Sequence, residues 1–191
     1  MIPNAVRAFR PDLRTWTEGD GMALEFVQDA PRPIGRSARV TDGVSIDGVV
    51  IERLEPNADG RGRLIELITT RDEPIEPIVH VYQVIAEAGS RRGWVYHKWQ
   101  HDRLAFTMGR FEIHLVDIRE NSPTRGARMV LEAGEANPTR LRIPPYVAHA
   151  VINNGATACF VNMPTNIYDP NNPDKFRYSG DLDDLGTVPI A

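Results

Sequence analysis

The stretch "RRGWVYHKWQHD", residues 91–102, puts two arginines, two histidines and an aspartate within twelve positions. Imidazole titrates nearest neutrality, so a histidine there can serve as general base, general acid or metal ligand. Arginine guanidinium groups bind phosphate in a bidentate fashion. Successive side chains of a strand point to opposite faces. Val95 and His97 therefore share one face, and Trp94, Tyr96 and Lys98 the other. In "DRLAFTMG" Asp102 alternates with Leu104, Phe106 and Met108, an apolar set expected to face the interior. An inward His97 and an inward Asp102 are then expected to meet at the mouth of a barrel. Further candidates are His149 in "PPYVAHAVIN" and His80 and Tyr82 on one face of "IVHVYQVIA". His101 reads as a turn residue and His114 as a solvent-facing strand residue opposite Phe111 and Ile113.

The elements that must position these groups are short. Ten runs have strand length and are separated by turn signals: "VSIDGVVIERL", "GRLIELIT", "IVHVYQVIA", "GWVYHKW", "RLAFTMG", "RFEIHLVDIR", "RMVLEAG", "TRLRIPP", "HAVINN" and "ACFVNMPTN". The Asn-Gly pair in "INNGAT" predicts a hairpin. No run sustains a helical period, so the expected fold is all-β, a sandwich or barrel. Residues 1–45, broken by Pro and Gly, read as an N-terminal arm, and residues 46–191 as one domain whose polar C-terminal tail holds a short helix or a lid. A net charge of −4 argues against a nucleic-acid partner. One cysteine, no apolar run of membrane-spanning length and no signal-peptide pattern at the start lead to the expectation of a cytoplasmic protein without a membrane partner.

Gly89, Val95, His97, Asp102 and Gly109 have the spacing of the first cupin motif, and Pro144, His149 and Asn153 fit the second; the chain resembles a cupin jelly roll. Within that superfamily "ADGRGRLIEL", "GSRRGWVYHKW", "LVDIRENSPTRGA", "LRIPPYVAHAV" and "YDP" followed by "DLDDLG" are similar, in order, to the dTDP-4-dehydrorhamnose 3,5-epimerases. The resemblance covers the chain from about Ile46 onward. It implies a nucleotide-sugar substrate, a homodimer, no cofactor, and proton abstraction next to the carbonyl of a 4-keto hexose.

By the same resemblance Arg61 holds the diphosphate, Glu66 the nucleotide end, Arg92 the substrate and His149 the sugar, with His80, Tyr82, Asn162 and Tyr168 as further substrate contacts. Three positions depart from the pattern. Val95 stands where the family has its base, Asn162 where it has the proton-donating tyrosine, and Asp102 or Arg103 where it has a lysine on the enolate side. The acid that orients the base has loose matches in Asp181, Asp183 and Asp184. His97, two residues beyond Val95 on the same face, is the expected replacement base; with Lys98 it also matches a short motif of the sugar 3,4-ketoisomerases. Two alternatives follow from the departures: a non-catalytic cupin that binds a sugar nucleotide, and a metal-dependent cupin enzyme with His97, Asp102 and His149 as ligands.

Overall fold

The computed structural model describes residues 28–31, 35–71 and 74–180, and within them every regular element is a strand. In chain order these are β1 (Ala38–Val40), β2 (Val50–Arg53), β3 (Pro56–Asp59), β4 (Gly62–Ile65), β5 (Tyr82–Ala86), β6 (Arg91–Tyr96), β7 (Asp102–Phe106), β8 (Arg110–Asp117), β9 (Arg128–Gly134), β10 (Thr139–Ile143), β11 (Val147–Asn153), β12 (Ala158–Asn162) and β13 (Phe176–Arg177). Each of the ten expected runs overlaps a strand. Ala38–Val40, inside the segment read as an arm, pairs with β2 as an edge strand.

One antiparallel sheet runs β1-β2-β10-β7-β12-β5, a second runs β13-β6-β11-β8-β9, and β3-β4 form a separate hairpin. The two large sheets face each other as a jelly roll. Alternation fills the space between them: Ile51, Leu104, Phe106, Leu141 and Phe160 come from one sheet, Phe111, Ile113, Leu115 and Val151 from the other. Phe106, Phe111 and Phe160 pack their rings at 5.0–5.6 Å between centroids. Burying side chains of this size contributes about 1.5–3 kcal/mol each and accounts for most of the fold's stability.

Several expectations are corrected. The Asn-Gly pair does not close a hairpin, because β11 pairs with β6 and β8 whereas β12 pairs with β5 and β7. Asn153 turns the chain from one sheet to the other instead. Its Nδ2 donates to the carbonyls of Ala86, Glu87 and Ala156, and its Oδ1 accepts from the Gly155 amide. Met108 lies past the end of β7 and is 54% exposed, although Asp102, Leu104 and Phe106 face inward as expected. His114 is half-buried: the outer face of its sheet carries a second apolar cluster of Trp94, Val116, Ala148 and Ala150, and the imidazole meets Trp94 edge-on. The described part of the C-terminal tail holds β13 and no helix, and its Lys175 and Arg177 line the cavity described below; Asp181, Asp183 and Asp184 lie outside the described residues.

The "VDIRENSPTRG" loop is wound around one carboxylate. Asp117, fully buried, accepts from the Arg119 amide and guanidinium, from Ser122 Oγ at 2.5 Å and from Thr124 Oγ1 at 2.7 Å. Burial raises its pKa, but Arg119 and the two hydroxyls outweigh burial and hold it well below the usual carboxylate range.

Candidate active site

At one end of the jelly roll the apolar interior opens into a cavity of about 460 Å³. Its walls include Tyr82, Arg92, Val95, His97, Asp102, His149, Asn162, Lys175 and Arg177. Both sheets contribute, β6, β11 and β13 on one side and β5, β7 and β12 on the other. Tyr82, His97 and Lys175 also line an adjoining compartment of about 440 Å³ that contains His80, Trp99, Ile167, Tyr168 and Asp174.

Asp102 is the centre of the first compartment. Its Oδ2 lies 3.3 Å from the Nε2 atoms of both His97 and His149. Its Oδ1 accepts from Gln100 Nε2 at 2.9 Å and from Asn162 Nδ2 at 3.1 Å. Burial opposes its ionisation, yet the contacts to His149 and His97 keep it a carboxylate, its pKa far below the ordinary value. Burial likewise lowers the pKa of His97, but Asp102 and then the Asp174 carbonyl outweigh it, so the net shift is upward.

The far side of each ring is also held. His97 Nδ1 meets the Asp174 carbonyl, and His149 Nδ1 lies 3.2 Å from the Val147 carbonyl. With Nδ1 donating to its carbonyl, a neutral His97 turns its Nε2 lone pair toward the Asp102 carboxylate, and a proton gained there completes a hydrogen bond to it, which makes Nε2 the basic atom. Asp174 is itself locked, its carboxylate accepting from the amides of Lys98, Trp99 and Gln100 at 2.7, 2.9 and 3.0 Å. It thus shapes the turn after β6 and orients His97 together. The three ligand atoms of His97, Asp102 and His149 lie within 4.8 Å of one another, a spacing that also fits a divalent cation.

Of the residues singled out in the sequence, the structure brings His97, His149, Arg92, Tyr82 and Asn162 to the first compartment, and His80 and Tyr168 to the second. Arg61 and Glu66 are elsewhere. Arg61 sits in the β3-β4 hairpin and pairs with Asp59 at 2.5 Å; Glu66, just after it, pairs with Arg71 at 2.7 Å, and neither lines either compartment. Sequence reasoning missed Gln100, Asp174, Lys175 and Arg177. The last two had a signal: in "DKFRY" the two cations alternate with Phe176, which stacks on Tyr96 on the outer side at 5.0 Å. A further cavity of about 220 Å³ on the outer face of the six-stranded sheet has arginines already engaged: Arg140 with Glu52, Arg142 with Glu76, and Arg103 with three backbone carbonyls.

Comparison with known proteins agrees with this geometry. The family described as dTDP-4-dehydrorhamnose 3,5-epimerase matches residues 43–182. The spore coat polysaccharide biosynthesis protein SpsL of Bacillus subtilis is 32% identical over 142 residues, 74% of this chain and 94% of that protein. The probable low-salt glycan biosynthesis epimerase Agl13 of Haloferax volcanii is 34% identical over 137 residues, 70% of this chain and 87% of that one. Among solved structures, dTDP-6-deoxy-D-glucose-3,5-epimerase RmlC of Legionella pneumophila in complex with dTDP-4-keto-L-rhamnose superposes with a TM-score of 0.68. It is 23% identical and covers 78% of this chain and 81% of that one, a likeness of fold. The chain belongs to the dTDP-4-dehydrorhamnose 3,5-epimerase family and has its cupin jelly-roll fold. No helix among the described residues is long and apolar enough to cross a membrane.

Proposed function

We propose that this member of the dTDP-4-dehydrorhamnose 3,5-epimerase family is a dTDP-sugar epimerase or isomerase. It acts on a 4-keto hexose by removing a proton from the carbon next to the carbonyl. The observation that carries the reading is the convergence of His97 and His149 on the buried Asp102 inside a cavity walled by Arg92, Lys175 and Arg177. His97 takes the proton at Nε2, and Asp102 stabilises the imidazolium that forms. The base position has therefore moved from Val95 to its neighbour on the same face. The cations offset the enolate and the diphosphate. Trp99 and Tyr168, both largely exposed in the adjoining compartment, offer ring faces to a nucleobase.

The protein works without a cofactor, in the cytoplasm, as a homodimer. Support for the dimer is the edge strand β5 and its approach, where Ile78, Val79, Val81 and Ile85 are exposed. A second copy is also the means of bringing Arg61 and Glu66 to a cavity that their own chain leaves without them. Incubation with dTDP-4-keto-6-deoxyglucose in D2O tests the chemistry. Deuterium is expected at C3, at C5 or at both, read by NMR, with a raised melting temperature in dTDP. Stabilisation by dTDP without deuterium at either carbon would leave a sugar-nucleotide-binding cupin in place of an enzyme on this sugar. Absence of both effects would refute the nucleotide-sugar reading.

A further inference from the structure

Removing a proton and inverting a carbon are two acts. The base works on one face of the sugar ring, and inversion needs a proton donor on the other. The resemblance places that donor at Asn162, whose amide has no proton acidic enough to give to a carbanion. We propose that Tyr82 delivers the proton, from the wall of the cavity opposite His97. This rests on the function proposed above and names a residue for its second half.

Tyr82 is the cross-strand partner of Asn162, β5 beside β12. Its inward orientation follows from alternation, since Val84 and Ala86 on the same face pack into the core while Ile85 is exposed. A tyrosine hydroxyl therefore reaches the cavity one strand away from the expected position. The walls also differ as inversion requires. His97 follows β6 of the five-stranded sheet, whereas Tyr82 opens β5 at the edge of the six-stranded sheet, and both line the same two compartments.

The hydrogen bonds around Asn162 leave the phenol proton available. Asn162 Oδ1 accepts from the Arg103 amide at 3.3 Å, which orients the side-chain amide. One or both of its N–H groups then serve Asp102 Oδ1 at 3.1 Å and the Tyr82 oxygen at 2.9 Å. Tyr82 accepts in that contact, so its own O–H is not spent on Asn162 and is available to the cavity that Tyr82 lines. Burial and then the Asp102 charge raise its pKa, outweighing Asn162 and Arg92, so the hydroxyl stays protonated until the carbanion forms.

The step balances without an oxidant or reductant. The C–H bond breaks to His97 Nε2 and its electron pair passes into the carbonyl as an enolate. The pair then returns to form a new C–H bond with the Tyr82 proton on the opposite face. The phenolate regains a proton from water and the imidazolium releases one, so the substrate is changed only in configuration.

Tyr82→Phe keeps the ring and removes the hydroxyl. With dTDP-4-keto-6-deoxyglucose in D2O, this variant is expected to keep deuterium incorporation into recovered substrate within about threefold of wild type while inverted product falls at least ~100-fold. Adding Asn162→Tyr to that variant should restore at least a tenth of the inverted product. Inversion at the wild-type rate in Tyr82→Phe would overturn the assignment, as would equal losses of exchange and inversion. A wild-type protein that exchanges but yields no inverted product would overturn it as well. Absence of exchange in the wild type is the separate outcome that removes the function proposed above, and Tyr82's role with it.

Discussion

Asparagine in place of Asp102 removes one charge and keeps the shape. The carboxylate holds two ring nitrogens at 3.3 Å on one oxygen and two side-chain amides, at 2.9 and 3.1 Å, on the other. An asparagine oxygen can keep the two amides. Its NH2 then faces the two rings, which accept it only as neutral imidazoles with the proton on Nδ1, the tautomer toward which the Asp174 and Val147 carbonyls already point. The fold should therefore lose about 1–3 kcal/mol, the cost of weakened but not orphaned contacts. Asp102→Ala should lose about 3–5 kcal/mol, because it leaves a buried charged group unpaired. At about 3 °C per kcal/mol for a chain of this length, the melting temperature falls by roughly 6 °C and roughly 12 °C respectively. The chemical effect is larger. Without the carboxylate, only Asp174 opposes burial at His97, so its pKa falls from the wild-type value. The acid limb of the pH–rate profile should then move to lower pH, while the plateau rate of deuterium incorporation falls about 10²-fold or more. The assay is exchange into dTDP-4-keto-6-deoxyglucose across pH, beside a melting curve. An asparagine variant whose limb stays in place and whose plateau is within threefold of wild type would refute the His97–Asp102 base.

Other perturbations read other parts of the molecule. Asp117 has a depressed folded pKa, so its stabilisation is present above the unfolded value of about 3.9 and is lost as pH falls through the folded one. The melting temperature should decline through the acid range, and Asp117→Asn should flatten that slope while lowering stability at neutral pH; parallel acid profiles would count against it. Gly93→Ala would place a Cβ 2.6 Å from Ala150 Cα and 2.7 Å from the His149 carbonyl, at a φ of +134°. It should cost more than 10 °C in melting temperature, at about 3 °C per kcal/mol, by pushing β6 off β11; a near-native melting curve would show that the strands yield. Dialysis against a chelator should leave exchange intact and less than one metal ion per chain. A stoichiometric ion whose removal ends exchange would replace the base chemistry with a metal centre on the same three residues.

What could be read in advance follows the range of the forces involved. Strand faces depend on neighbours two residues away, so Val95, His97, Asp102 and Leu104 were correctly placed from alternation alone. Partner choice depends on the whole sheet. Nothing local distinguishes the Asn153 corner from a hairpin, because the same Asn-Gly chemistry serves both and only the pairing of β11 and β12 decides. His114 was read as solvent-facing because alternation reports which face a residue occupies, and Trp94, distant in sequence, decides whether that face is covered. Arg61 and Glu66 were legible as residue types, while their distance from the cavity was not, since the path of the β3-β4 hairpin is set by tertiary contacts. The role of Asp174 was invisible for a related reason. A backbone carbonyl that fixes a tautomer leaves no mark in residue type.

The loop wound on Asp117 has a consequence for how chains of this kind are recognised. "VDIRENSPTRG" is one of the stretches that carry the resemblance to the family, yet its Arg119, Ser122 and Thr124 are spent on the Asp117 carboxylate and none of its residues lines the two compartments of the cavity. Selection for a folded barrel can preserve such a loop after the chemistry has drifted, so it records ancestry and is silent on turnover. The record of the reaction is kept elsewhere, at Val95, Asn162 and Asp102 and the side chains one strand or two residues away from them. A lineage that exchanged its base and its acid would carry the same signature throughout the exchange.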